Sequence, residues 1–211
     1  MDLTRHRRDY DNAPLDPAEL DDDPLVELRR WVDLAAAAGV TEPNAMTLAT
    51  VDAHAHPSAR VVLLRGLDHG LVFFTNYDSR KGRELATNPH AAAVLCWLDL
   101  ARQIRVTGTC ARLPGDDSDR YWHSRPVGSR LVSAASPQSS VLTDAAELDR
   151  RIEQLGRHHP DGEVPRPAHW GGYRLLPDTV EFWLGRPDRR HERLRYRRRG
   201  GPGWIVERLA P

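Results

Sequence analysis

The change of hydrophobic period after Gly39 constrains this chain most. Up to that point the pattern is helical: Asp23 caps a start, Pro24 opens the first turn, and Leu25, Leu28, Val32 and Ala35 follow before Gly39 ends the run. Beyond it the apolar runs shorten and alternate. Met46–Val51, Arg60–Leu64, Leu71–Thr75, Ala91–Trp97 and Gln103–Leu113 read as strands joined by short turns, with one short helix, Ser79–Asn88, among them. Strands that follow one another this closely favour an antiparallel barrel over a βαβ sheet. Helical patterns at Asp116–His123, Ser129–Ala135 and Asp144–His158 come next, the last with Leu148, Ile152 and Leu155 on one face. Strands return at Tyr173–Leu176, Thr179–Leu184, His191–Arg197 and Trp204–Arg208. One barrel closed by both strand groups, with helices packed outside, is the simplest arrangement.

The 211 residues suit one domain with an appendage. Residues 1–23 are polar and end in Asp21-Asp22-Asp23, so they read as a flexible arm, leaving 24–211 as the domain. Thirty basic and thirty acidic residues cancel, which argues against a wholesale nucleic-acid binder. No apolar run approaches the roughly 18–20 residues that span a bilayer, and the charged N-terminus lacks the apolar stretch of a signal peptide. A cytoplasmic chain without membrane or nucleic-acid partners is expected. Cys96 and Cys110 read as buried free thiols, and the ten histidines show no metal spacing, so no metal is expected. Glycine-rich phosphate loops are absent too, so any phosphate must be held by side chains.

Those side chains are nearly all arginine: Lys81 is the lone lysine among the thirty basic residues. It lies in Phe74-Thr-Asn-Tyr-Asp-Ser-Arg-Lys81, a strand end running into a helix start, where free N–H groups, the helix dipole and two cations favour a phosphate. Arg60-Val-Val-Leu-Leu-Arg65 is an apolar strand bracketed by arginines on opposite faces. Tyr121, Arg125 and Ser129 fall four residues apart and would share a helix face, except that Pro126 interrupts it. A second phosphate site and a solvated helix end both fit that spacing. Eight arginines lie between Arg186 and Arg199, and strand alternation puts Arg189, His191, Arg193 and Arg195 on one face. Solvent, a nucleic acid or a phosphorylated ligand would each satisfy such a row.

Taken in order, the blocks Arg60–Arg65, Phe73–Lys81, Asn88-Pro89, Arg102-Gln103, Tyr121–Pro126, Gln138–Ser140, Val164–Tyr173, Glu181–Gly185, Arg189–Arg193 and Glu207–Pro211 resemble the pyridoxamine 5'-phosphate oxidases. The resemblance covers about residues 24–211. It implies a mainly β, Greek-key-type split barrel with peripheral helices, and a homodimer with FMN at the subunit interface. The implied reaction converts pyridoxamine or pyridoxine 5'-phosphate to pyridoxal 5'-phosphate with O2, releasing hydrogen peroxide, and ammonia from the amine. Carried over by position, Arg60, Val61, Val62, Leu63, Leu64, Phe74, Thr75, Arg80, Lys81, Gln103, Gln138, Ser139, Trp183 and Arg193 would contact FMN. Arg65, Tyr121, Arg125 and Ser129 would hold the substrate phosphate. Arg189 and His191 would lie over the substrate ring as catalytic residues, with Arg7 and Tyr10 closing from the arm.

The chain also departs from the family pattern. Arg65 stands where lysine is usual, Arg190 replaces an apolar residue, Phe74 replaces a common tyrosine, and Ser129–Ser136 lacks the typical Gln-x-Gly-Ala-Trp. These departures keep a second function open, a flavin oxidase similar to the phenazine-pathway relatives. A non-catalytic flavin-binding barrel or an arginine-rich nucleic-acid binder is the third.

Overall fold

The structure is a computed structural model in which residues 9–211 are described. Helix α1 (Pro24–Ala37) is capped by the Asp23 carboxylate on the Leu25 N–H and buries Leu25, Leu28, Trp31 and Ala35. Val32 packs partly buried against the core as expected, and Trp31 beside it is buried more deeply, edge-on to Phe182. Strands β1 (Ala45–Val51), β2 (Pro57–Leu63), β3 (Gly66–Leu67) and β4 (Leu71–Asn76) follow, then α2 (Arg80–Thr87), β5 (His90–Trp97) and β6 (Arg102–Arg112). Helices α3 (Gly115–His123), α4 (Val127–Ala135) and α5 (Ala145–His158) precede β7 (Trp170–Leu184), β8 (Glu192–Arg198) and β9 (Trp204–Arg208).

Among the described residues the nine strands form one antiparallel sheet in the order β2-β1-β5-β6-β7-β4-β3, with β8 on β7 and β9 on β8. Its two ends, β2 and β3, are separated in sequence only by Leu64 and Arg65, and the Arg65 N–H bonds Val72 O at 2.8 Å. The sheet therefore curls until β2 and β3 come together at this seam, while β9 remains an edge beside β8. Leu48, Phe73, Leu95, Ile104, Val106, Leu175, Val180, Phe182 and Tyr196 fill the interior. Trp122, Val164 and Trp170 form a second core that clamps α3, α4 and α5 to the start of β7, with the Trp122 indole N–H satisfied by Val164 O.

Two expectations are corrected here. Pro177 and Asp178 read as a break between strands, yet β7 is continuous. It absorbs them as a bulge where the register shifts between Thr107 and Gly108. Gly108 makes room for it, since a side-chain carbon there would collide with Leu176 O. Cys96 is exposed because it lies on the outward face of β5, whereas Cys110 is buried as expected.

Residues 9–23 lie against the barrel. Leu15 and Leu20 pack on the core, the Tyr196 hydroxyl donates to Asp21 O at 2.7 Å, and Asn12 exchanges hydrogen bonds with Gly185 O and the Arg186 guanidinium. No helix among the described residues is long and apolar enough to cross a membrane.

Candidate active site

The barrel seam opens into a cavity of about 590 Å³ walled by β2, β4, α3, α4 and the loop after α4. It gathers Val61, Val62, Leu63, Arg65, Phe74, Thr75, Lys81, Tyr121, Arg125, Ser129 and Gln138 from the residues singled out in the sequence. Pro126 does end α3, as its ring requires, but α4 restarts at once, so Tyr121, Arg125 and Ser129 still converge across the break.

At one end Arg125 stacks its guanidinium over Trp170 at 4.7 Å and donates Nη2 to Ser133 Oγ at 2.9 Å. Its Nη1 is buried with no partner among the described residues. Burial lowers the Arg125 pKa, and the neighbouring Arg65 and Arg130 guanidinia add to the effect while Tyr121 opposes it. A buried donor facing other cations, with no carboxylate paired to it among the described residues, suits an anion. Phe74 stacks on Tyr121 at 3.8 Å and on Trp170 at 5.6 Å, giving this end a flat aromatic wall.

At the other end Lys81, nearly fully buried, donates to Thr75 Oγ1 and Gln138 Oε1, each at 3.0 Å, and to Ser79 Oγ at 3.4 Å. All three acceptors are neutral. Burial, reinforced by Arg60, brings the ammonium down to about 8, with Glu84 pulling the other way. Ser79 caps α2 by accepting from the Gly82 N–H, so the helix start expected from the sequence is in place. The cavity thus carries two cationic groups with separate partners, Arg125 and Lys81, with Val61, Val62 and Leu63 also on its wall. That donor set fits a flat cofactor bearing a phosphate.

The remaining expected residues lie elsewhere. Arg60 and Arg80 turn to the buried carboxylate of Glu84. Leu64 points into the core, and Ser139 sits exposed in the loop after α4 with a left-handed φ of 73°. Gln103, Trp183 and Arg193 stand opposite one another across β6, β7 and β8 and form a half-exposed row outside this cavity. His191 packs at 4.8 Å from Trp183, and Tyr10 meets both rings edge-on. Gly185 leaves room for Tyr10, whose ring lies 2.8 Å from where a side-chain carbon would stand. His191 Nδ1 accepts from the Arg186 N–H, which leaves the proton of the neutral ring on Nε2.

Arg189 does not share the strand face assigned to it. It lies before β8 in a turn where Asp188 and Arg189 both take left-handed φ, 54° and 59°. The arginine row itself is matched by carboxylates, Arg193 by Glu181 at 2.9 Å and Arg195 and Arg197 by Glu207. The pairing engages three of the eight arginines between Arg186 and Arg199. Arg7 lies outside the described residues. The sequence did not single out Ser133, Trp170 or Glu84. Nothing local distinguishes a serine in α4 as a guanidinium partner, and Glu84 four residues after Arg80 looks like an ordinary surface pair.

Residues 33–159 match the family described as pyridoxamine 5'-phosphate oxidase, and residues 170–211 match the pyridoxine 5'-phosphate oxidase C-terminal dimerisation region. A pyridoxine/pyridoxamine 5'-phosphate oxidase 1 of Ralstonia nicotianae is 54% identical over 97% of both chains. A pyridoxine/pyridoxamine 5'-phosphate oxidase of Salinibacter ruber is 50% identical, again over 97% of both. Among solved structures, PhzG from Burkholderia lata, in complex with tetrahydrophenazine-1-carboxylic acid, superposes with a TM-score of 0.88 at 36% identity, over 94% of this chain and 98% of that one. The chain belongs to the pyridoxamine 5'-phosphate oxidase family: it is an FMN-dependent oxidoreductase on a split barrel with a C-terminal dimerisation region.

Proposed function

We propose that the chain oxidises pyridoxamine or pyridoxine 5'-phosphate to pyridoxal 5'-phosphate, with O2 as electron acceptor and hydrogen peroxide as product. The observation that carries this reading is Arg125, a buried guanidinium on the Trp170 face whose Nη1 has no partner, and which pairs with no carboxylate, among the described residues. With Arg65, Tyr121 and Ser129 on the same cavity wall it makes a receptor for the substrate phosphate. Lys81, Thr75 and Gln138 would hold the cofactor phosphate at the opposite end, with Arg60 and Arg80 behind them, and Val61, Val62, Leu63 and Phe74 would line the ring system. FMN, when bound, supplies the two-electron chemistry; the protein supplies binding, orientation and electrostatics.

A second copy of the chain completes the site in this reading. Gln103, Trp183, Arg193, His191, Arg189 and Tyr10 stand on a separate ledge, and all but Gln103 and Tyr10 fall within the matched dimerisation region. Docked against a partner's cavity, the ledge would bring Arg189 and His191 to the substrate, and FMN would be held by residues of both subunits. Arg189 would orient the substrate carbon that loses hydride and stabilise developing charge, assisted by the His191 Nε2–H. Residues 1–23 would serve as an arm over the substrate, with Tyr10 as its described contact on the ledge, and 24–211 as the oxidase domain.

A second reading has its own support. The likeness to PhzG, together with the Ser-Arg-Leu-Val-Ser segment at Ser129–Ser133, favours a reduced ring substrate of the phenazine type. Purified yellow protein supplied with pyridoxamine 5'-phosphate or pyridoxine 5'-phosphate is expected to release one peroxide per pyridoxal 5'-phosphate formed. No peroxide from either vitamer, with turnover of a reduced phenazine carboxylate, would decide for the second reading.

A further inference from the structure

Glu84 is the most thoroughly bonded carboxylate near the cavity, and nothing in the proposed chemistry uses it. Its side chain, 5% exposed, leaves the middle of α2 and reaches the β1–β2 hairpin. Oε2 accepts from the Thr50 hydroxyl at 2.5 Å and the Ser58 hydroxyl at 2.6 Å, and meets Arg60 Nη2 at 3.3 Å. Oε1 accepts from Arg80 Nε at 2.8 Å. Thr50 and Ser58 are directly paired across β1 and β2, so one carboxylate ties α2 to both strands. Arg60 is held from further sides by Thr50 Oγ1 and by the Ser58 hydroxyl. Burial opposes the ionised form, but donation from Ser58, Thr50, Arg80 and Arg60 prevails and holds the carboxyl down to about 2, so it is charged at any working pH.

A negative charge beside a phosphate receptor is unfavourable by simple Coulomb reasoning. Here its geometry gives it a different task. Arg60 and Arg80 come from different elements and would repel each other and Lys81; Glu84 lies between them and fixes both guanidinia. We propose that Glu84 is a positioning residue that orders Arg60 and Arg80 and supports the charge on Lys81 for the cofactor phosphate. This rests on the reading that places that phosphate at Lys81. The charged groups acting on the ammonium are Arg60 from β2 and Glu84 from α2, while Thr75 from β4 and Gln138 from the loop after α4 are neutral.

The test compares apoprotein affinity for FMN and for riboflavin, which shares the ring and ribityl chain but lacks the phosphate, by flavin fluorescence quenching across pH. The wild-type preference for FMN is expected to decline above about pH 8, where Lys81 loses its proton. In Glu84→Gln the preference should fall roughly 10- to 100-fold, the range that groups orienting a ligand's direct contacts command at metal sites. Riboflavin affinity should hold, and the decline should begin at lower pH. Ser58→Ala, which removes one donor to Glu84, should lose a smaller part of the preference and serves where Glu84→Gln folds poorly. An unchanged or increased FMN preference in these variants overturns the role. Lys81→Met separates the two ideas. If it too leaves the preference unchanged, the phosphate lies elsewhere and both fall. If it abolishes the preference while the Glu84 and Ser58 variants keep it, only the Glu84 role fails.

Discussion

Arg125→Ala is expected to lower kcat/KM for pyridoxamine 5'-phosphate roughly 100- to 1,000-fold, the worth of one or two charge-assisted hydrogen bonds to a buried phosphate. Most of the loss should appear in KM, because the phosphate is held alike in the ground state and in the transition state. The flavin absorbance of the variant should match wild type, since Arg125 shares no hydrogen-bond partner with Lys81, Thr75 and Gln138, the proposed cofactor-phosphate group. Arg125→Lys should recover little. An ammonium cannot lie flat on Trp170 while reaching both Ser133 and a phosphate, as the guanidinium can. Steady-state kinetics with a flavin spectrum check both outcomes, and a loss of flavin equal to the loss of activity would move Arg125 to the cofactor.

Arg189→Ala should act on the other parameter. A donor aimed at charge that develops in the transition state is worth about 100- to 1,000-fold in kcat. KM for the vitamer phosphate should change far less and FMN content should stay at wild type. The backbone offers a sharper version. Arg189 sits at φ 59°, a region that costs a non-glycine residue roughly 1–2 kcal/mol. Arg189→Gly removes that strain together with the guanidinium, so Tm should hold or rise while kcat collapses. A falling Tm, or kcat retained in either variant, would show that the turn serves the fold and not the reaction.

The strand periods were legible because each strand keeps one face in the barrel, as at Leu48, Leu95, Ile104 and Leu194. Strand continuity was not. Pro177 signals a break in any local reading, and only its partner across the sheet, Gly108, shows that the backbone passes through it as a bulge. Both proposed phosphate receptors were legible as residue types, since Lys81 follows a helix cap and Tyr121, Arg125 and Ser129 keep a four-residue spacing. The burial of Arg125, with Nη1 left unpartnered among the described residues, was not legible, because it depends on Trp170 and Ser133 arriving from other elements. The same limit hid Glu84, whose four partners come from β1, β2 and α2. The arginine row misled for the converse reason. Its counter-charges, Glu181 and Glu207, stand across the sheet rather than along the chain.

In the proposed reading, Arg65 and Arg125 make the cavity select a phosphorylated vitamer. The most direct measurement is kcat/KM, by peroxide release from the same preparation, for pyridoxamine 5'-phosphate, for pyridoxamine and for tetrahydrophenazine-1-carboxylic acid. The phosphorylated vitamer is expected to exceed its dephosphorylated form by roughly 1,000-fold, consistent with a lost charge-assisted phosphate contact set, and also to exceed the phenazine acid. Equal values for the two vitamers, or a preference for the phenazine acid, would contradict it.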